Sequence, residues 1–252
     1  ALLVAREAPG VVPLRVQALQ FPQGEGTARV PILVEAEPGG LEDLTILVLV
    51  RDAGGQVVAK ASQQYALPLA EASRGPVLFY REVRLPAGLY SLEAVAQDAR
   101  SSRGGRASAS LEVPRGEPGR LRASSLMVVR RAEKLAAGRE GDPGPLEYQD
   151  VLLYPDLGPQ VRRGSGQPLA FFLRAWPAPG RPGVDARVEV LRSGRPVAAA
   201  SPFAVRPDAD GRIGLVSTFP VDALDPGAYE LRVTLTDGRD AETRTASLAI
   251  SP

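Results

Sequence analysis

The strongest constraint on the fold of this chain is a long internal repeat. Residues 85–98 read Leu-Pro-Ala-Gly-Leu-Tyr-Ser-Leu-Glu-Ala-Val-Ala-Gln-Asp, and residues 224–237 read Leu-Asp-Pro-Gly-Ala-Tyr-Glu-Leu-Arg-Val-Thr-Leu-Thr-Asp. The matched positions are Gly88 and Gly227, Tyr90 and Tyr229, Leu92 and Leu231, and Asp98 and Asp237. Their spacing of about 139 residues exceeds the roughly 20–50 residues of a solenoid repeat. The repeated unit is therefore a domain, and the sequence predicts two similar domains in tandem.

Alternation of apolar and polar residues with period two is the main local signal, and it indicates β-strands. Residues 29–37, 56–67 and 229–236 follow it, and Gly-containing turns such as Asp52-Ala-Gly-Gly55 separate the predicted strands. Residues 44–51 are almost continuously apolar, as in a central strand that is covered on both faces. The first half has about seven predicted strands, and the second half repeats its plan. The predicted fold is all-β, with two tandem immunoglobulin-like or fibronectin-III-like sandwiches.

The domain boundaries follow from the turn-forming residues. We expect domain 1 over residues 1–114, a Pro/Gly-rich linker over 115–120, and domain 2 over 121–252. Residues 129–137 have helical composition, which Gly138 would end. Residues 136–168 show the least regular pattern and predict an irregular insertion.

The repeated tyrosines predict a specific structural role. Tyr90 and Tyr229 each follow a glycine by two residues and open an alternating strand. In immunoglobulin-like folds a tyrosine at this place packs on the core, and its hydroxyl bonds to the connecting backbone; this is the tyrosine corner. We expect both residues to form such corners, with a ligand-binding role for them as the lesser alternative.

Composition excludes several kinds of chemistry. The chain has no Cys and no His, which excludes disulfides, Cys nucleophiles, Ser-His-Asp catalysis and the usual zinc sites. A net charge of +1, balanced between the halves, does not favour a nucleic-acid partner. No apolar stretch approaches the ~18 residues of a membrane span, so we expect no membrane insertion. Catalytic, cofactor and metal sites are all expected to be absent.

Two local motifs have both a structural and a functional interpretation. Asp208-Ala-Asp-Gly211 resembles the start of a calcium loop, but position twelve of such a loop would be Phe219, so a hairpin turn is favoured. Trp176 ends a predicted strand and is interpreted as a core or edge residue.

The N-terminal run Leu2, Leu3 and Val4 precedes Pro9-Gly10 and lies outside the repeat. As a strand, it would either cover an edge of its own domain, which is the favoured reading, or pair with a neighbouring chain. The chain also begins without Met, so we expect it to be a processed or truncated piece of a longer protein.

Several turn and strand motifs together resemble one bacterial family. They are Val12-Pro-Leu-Arg-Val16, residues 48–57, Phe79-Tyr80, residues 85–90, Ser124-Ser-Leu126, residues 207–212 and residues 226–232. The pattern is similar to the C-terminal region of the von Willebrand factor A-related proteins of Acidobacteria. The Asp-x-Ser-x-Ser metal motif of the A domain is absent here, so no metal-dependent adhesion is carried over. The resemblance implies an extracellular or cell-envelope location, with the signal sequence outside this chain, and an adhesive or scaffolding role.

The sequence thus leads to a functional expectation with two alternatives. We expect a non-enzymatic structural or interaction protein that binds a protein partner or itself through loops and sheet edges, with a filament as one form of self-association. The first alternative is a glycan-binding accessory module, which exposed aromatic residues would favour. The second is a carboxylate-dependent hydrolase, which an acid pair about 5–9 Å apart in a cleft would favour.

Overall fold

The computed structural model describes residues 11–24, 26–37, 39–67, 75–136 and 143–252. The N-terminal run Leu2, Leu3 and Val4 lies outside these residues. The chain divides into two compact units, which are Ala1–Gln20 with Gly26–Arg115, and Phe21–Glu25 with Gly116–Pro252. All the regular elements of the described residues are β-strands, which confirms the predicted all-β class.

Unit 1 is a sandwich of two antiparallel sheets. Its strands are β1 (Leu14–Ala18), β3 (Thr27–Ala36), β4 (Asp43–Asp52), β5 (Val57–Ala66), β6 (Val77–Pro86), β7 (Gly88–Asp98) and β8 (Gly104–Val113). In one sheet β3 pairs with both β1 and β6. The other sheet has the order β5-β4-β7-β8. This is the strand order of a fibronectin-III-like sandwich.

The core of unit 1 follows from the alternation in its strands. Along β4, Leu44, Ile46, Val48 and Val50 are buried in the cluster between the sheets, whereas the residues between them are half-buried on the outer face. The strand is central, as predicted. Its outward-facing residues, however, are half-buried and not fully covered as the sequence predicted.

Unit 2 repeats this plan and has additional strands. Its strands are β2 (Phe21–Pro22), β9 (Arg122–Ala123), β10 (Met127–Lys134), β11 (Glu147–Tyr148), β12 (Val151–Pro155), β13 (Gln160–Arg162), β14 (Leu169–Trp176), β15 (Val184–Arg192), β16 (Arg195–Ala199), β17 (Phe203–Val205), β18 (Ile213–Phe219), β19 (Gly227–Thr236) and β20 (Ala241–Ser251). One sheet has the order β11-β12-β10-β14-β18, with β9 also on β14. The other has the order β13-β20-β19-β15-β16, with β17 also on β15.

Two segments of unit 2 differ from the structure that the sequence predicts. The segment with helical composition is not a helix, because Met127–Lys134 forms β10 and pairs with both β12 and β14. Ladder hydrogen bonds to two neighbours outweigh a weak helix propensity. The insertion predicted to be irregular over 136–168 contains β11, β12 and β13 where it is described.

Candidate functional site

The two repeated tyrosines have the geometry of tyrosine corners. The Tyr90 hydroxyl donates to the carbonyl oxygen of Pro86 at 2.8 Å, and the Tyr229 hydroxyl donates to that of Asp225 at 2.7 Å. Both rings are buried in the cores of their units. Burial raises the pKa of Tyr90, with a smaller contribution from the negative charge of Asp52. These hydroxyls are thus committed to holding the turn before β7 and the turn before β19.

The repeated aspartates at the other end of the same strands are also structural. Asp98 is fully buried, and its carboxylate accepts hydrogen bonds from the amides of Asp43 at 2.7 Å and Ser101 at 2.7 Å. It also accepts one from the amide of Glu42 at 3.0 Å. Burial raises the pKa of Asp98, but these bonds and that of the Ser101 hydroxyl outweigh burial and hold the pKa well below its usual range.

Asp237 occupies the matching place in unit 2. Its carboxylate accepts the amides of Ala178 at 3.2 Å, Arg239 at 3.0 Å and Asp240 at 2.9 Å. Burial raises its pKa, and the three amide bonds more than offset this, so the pKa of Asp237 is lowered. Sequence reasoning matched these two aspartates but missed their role, which only the loops that fold over them reveal.

The Asp208-Ala-Asp-Gly211 motif forms a turn. The Gly211 amide donates to the carbonyl oxygen of Asp208 at 3.0 Å, and Gly211 has the positive φ of 73° that favours glycine. The Asp208 carboxylate accepts the amides of Asp210 and Arg212, and the Asp210 carboxylate pairs with the Arg212 guanidinium. Within the described ranges, no group of three or more acidic side chains is placed to hold a metal ion.

The outer faces of the two matching sheets differ. On unit 2, Glu189 is buried between Arg187, at 2.9 Å, and Arg232, at 3.0 Å. Burial raises the pKa of Glu189, and the two arginines outweigh this and lower it. The strand pairing places Leu47 and Leu49 of unit 1 at the positions of Arg187 and Glu189, and both leucines are half-buried. The repeat thus retains the core residues and changes the surface.

The edges of these two sheets differ as well. In unit 2, β13 lies parallel along the end of β20, with Gln160 opposite Ala249 and Arg162 opposite Ser251. The Ala249 amide donates to the Pro159 carbonyl at 2.9 Å. In unit 1 the corresponding strand is β8, because Leu111 lies opposite Tyr90 as Leu248 lies opposite Tyr229. Among the described residues, β8 pairs on its outer side only at Gly104, which leaves most of its length open.

The backbone groups at the open edge of β8 are identified by one contact. The Gly104 carbonyl accepts the Val12 amide at 2.9 Å, so Gly104 presents its backbone groups away from β7. In an antiparallel ladder this orientation alternates along the strand. The residues that present their N–H and C=O groups at the edge are therefore Arg106, Ser108, Ser110 and Glu112, and all four are exposed.

Comparisons with known proteins assign this chain to no family. No family model matches, and no curated protein matches. Red sea bream transglutaminase is similar at 16% identity and a TM-score of 0.27, over 94% of this chain and 31% of that one. A Bacteroides fragilis protein assigned as a beta-galactosidase is similar at 14% identity and a TM-score of 0.32, over 60% of this chain and 19% of that one. The chain spans less than a third of either protein, and scores this low carry no argument about function.

The part of the chain that the structure describes contains no helix that is long and apolar enough to cross a membrane.

Proposed function

We propose that this chain is a non-enzymatic structural or interaction protein that self-associates through the open edge of β8. The observation that carries the proposal is the self-complementary sequence of that edge. The absence of His and Cys supports the non-enzymatic part. So does the use of the repeated Asp98 and Asp237 carboxylates in holding loops.

The complementarity is apparent when two copies of β8 are aligned antiparallel about a two-fold axis at Ala109. Arg106 of one copy then lies opposite Glu112 of the other, and Ser108 lies opposite Ser110. These are the four residues whose backbone groups face the open edge, so side-chain and main-chain pairing coincide. A two-fold axis makes each pair occur twice, as in any isologous contact.

Neighbouring registers lose this match. An axis at Ser108 would place Arg106 opposite Ser110, and an axis at Ser110 would place Ser108 opposite Glu112. A register shifted by one residue would set backbone groups that already bond to β7 against the free edge. Each opposite-charge pair contributes roughly 0.2–1 kcal/mol across strands. Arg106 also pairs with Glu93 of its own chain at 2.6 Å, so in this register Glu112 of the other copy would share the Arg106 guanidinium with Glu93. The charge pairs favour this register, while the edge hydrogen bonds supply the contact.

Charge reversal on the full chain tests the proposal. In sedimentation velocity over a concentration series, the unmodified chain should form a dimer. Arg106→Glu and Glu112→Arg should each weaken it, and the double variant should restore it. Arg84→Glu, at an exposed position of β6 in the other sheet, is the matched control and should leave the dimer intact.

A backbone variant separates the edge from the side chains. Ser110→Pro removes an N–H that faces the open edge, which proline tolerates on an edge strand. The variant should stay folded by circular dichroism and be monomeric. A chain that is monomeric at all concentrations would overturn the proposal, as would a dimer that both charge reversals leave unchanged. Loss of the dimer only on deletion of residues 1–9 would instead assign the contact to Leu2, Leu3 and Val4.

The cellular setting is part of the same proposal. The resemblance to the von Willebrand factor A-related proteins supports an extracytoplasmic, adhesive or scaffolding protein. Fractionation of cells that express the full gene product, followed by immunodetection, tests this location. Recovery in the cytoplasmic fraction would contradict it and would leave the dimer prediction unaffected.

A further inference from the structure

Unit 2 contains a cleft beside its inserted hairpin. Its volume is about 370 Å³, within the roughly 300–1,000 Å³ of small-molecule sites. The inserted hairpin of β11 and β12 forms one wall through Tyr148 and Gln149, and the segment that leads into β18 forms the other. The insertion thus adds a concave surface to the sandwich.

The charges in the cleft do not balance. Three arginines and two aspartates line it, which gives a net charge of +1: Arg174, Arg206, Arg212, Asp208 and Asp210. Both acids are used within the turn. Asp208 accepts the amides of Asp210 at 3.0 Å and Arg212 at 2.9 Å, and Asp210 pairs with the Arg212 guanidinium.

Arg206 is a cation of the cleft that the acids of the turn do not neutralise. It is exposed at the cleft wall, and in the residues that the structure describes no acceptor bonds to its guanidinium. A guanidinium presents a rigid fork of donors that matches a carboxylate in a bidentate pair. The cleft therefore offers a place for one external carboxylate.

An aromatic ring, that of Tyr148, also lines the cleft. The Tyr148 ring lies so close to Gly214 that a Cβ built there would overlap it, and the centroid of the ring is 5.9 Å from that of Phe172. A glycine inside a strand often marks such a close approach. Gln149, next to Tyr148, has a left-handed φ of 53°, a conformation that costs energy in a residue other than glycine. The ring is thus held at the cleft by packing and by a strained turn.

We propose that this cleft binds a small ring compound that carries a carboxylate, with a uronic acid as its class. The carboxylate pairs with Arg206, and the apolar face of the ring lies in the cleft that Tyr148 lines. The pairing of a few oriented polar groups with an aromatic wall is the usual composition of a ligand site. This proposal rests on unit 2 alone and is independent of the dimer proposed for β8.

Isothermal titration of the full chain with glucuronate, and separately with glucose, tests the site. Glucuronate should bind saturably, and glucose should bind at least about tenfold more weakly, which corresponds to about 1.4 kcal/mol. Arg206→Ala should weaken glucuronate binding by a similar factor, and Tyr148→Ala should weaken it as well. Arg195→Ala, an exposed arginine of β16 outside the cleft, is the control and should bind as the unmodified chain does.

Three outcomes would overturn the proposal. They are the absence of saturable glucuronate binding, equal binding of glucose, and unchanged binding by Arg206→Ala. Because Arg206 is exposed, its substitution should not unfold unit 2, and circular dichroism verifies this. For Tyr148→Ala, a folded variant with unchanged affinity would remove the ring from the site.

Discussion

The hydroxyl of Tyr90 donates a 2.8 Å hydrogen bond to the carbonyl oxygen of Pro86, four residues earlier in the chain. The same four-residue bond, at 2.7 Å, occurs in unit 2 between Tyr229 and Asp225. In each case the hydroxyl links the turn to the strand that follows it, and the ring packs in the core. The segment repeated most clearly in the sequence is therefore the segment that closes each sandwich.

The first prediction concerns this bond. Tyr90→Phe should lower the free energy of unfolding of unit 1 by about 1 kcal/mol, because it removes one hydrogen bond and leaves the ring in place. Tyr90→Ala should cost about 3–5 kcal/mol, because it also leaves a cavity. Urea denaturation measures both. Tyr80→Phe, at an exposed position of β6, is the matched control, and a loss there equal to that of Tyr90→Phe would contradict the assignment.

The second prediction concerns acid. The pKa of Asp98 is lowered in the folded state, so the group stabilises the fold above about pH 4, near the pKa of an unfolded aspartate. This contribution is lost as the pH falls from there toward the lowered folded-state value. At pH 7, Asp98→Asn should lower the free energy of unfolding by about 1.5–3 kcal/mol, because an amide retains only one acceptor oxygen.

The pH dependence provides the check. Denaturation of unit 1 over a pH series should show the gap between Asp98→Asn and the unmodified chain narrowing below about pH 4. Glu37→Gln, an exposed neighbour of Arg15, should follow the unmodified chain throughout. A gap that is constant with pH would indicate that the carboxylate charge has no part in holding the loops.

The third prediction compares two glycines of unit 1. A Cβ on Gly105 would overlap the carbonyl oxygen of Val12, whereas a Cβ on Gly39 would meet nothing within 4 Å. Gly105→Ala should therefore lower the free energy of unfolding by about 1–3 kcal/mol, because the backbone of residue 12 must move away from β8. Gly39→Ala should change it by less than about 0.5 kcal/mol. Equal thermal midpoints for the two variants would show that the close approach is not needed.

The fourth prediction concerns calcium. Because the Asp208 and Asp210 carboxylates are already bonded within their turn, calcium and a chelator should give the same melting temperature. An ion bound to the folded state would add about 2.7 kcal/mol at a hundredfold excess over its Kd. Differential scanning fluorimetry measures the shift. An increase of the melting temperature in calcium that Asp210→Ala abolishes would show that the motif binds the ion.

Much of the fold was predictable because its signals are local. Alternation along residues 229–236 places Tyr229, Leu231 and Val233 on one face of β19 wherever that strand lies. The glycine and tyrosine before β7 and β19 specify a turn and an anchor within a few residues. These signals were sufficient for the all-β class and the repeated domain.

The segment 127–134 shows where local signals failed. Its composition favours a helix, but β12 and β14 lie on either side of it and satisfy its backbone as a strand. Those partners are up to 45 residues away in the chain, as for Met127 and Phe172, so composition within the segment carries no information about them. The same reason applies to Asp98 and Asp237, whose hydrogen-bond donors come from loops that the sequence does not place.

The all-β class, most of the strands and the two tyrosine corners follow from the sequence alone, since each depends on residues within one short segment. Among the described residues, the tertiary structure alone reveals that β13 covers the edge of β20 while most of β8 has no partner on its outer side, and that Tyr148, Arg206 and Gly214 line one cleft. The physical reason is that edge coverage and cleft formation depend on which distant strands satisfy one another's backbone groups. That outcome is a property of the whole packed domain, because every buried N–H and C=O must find a partner at once.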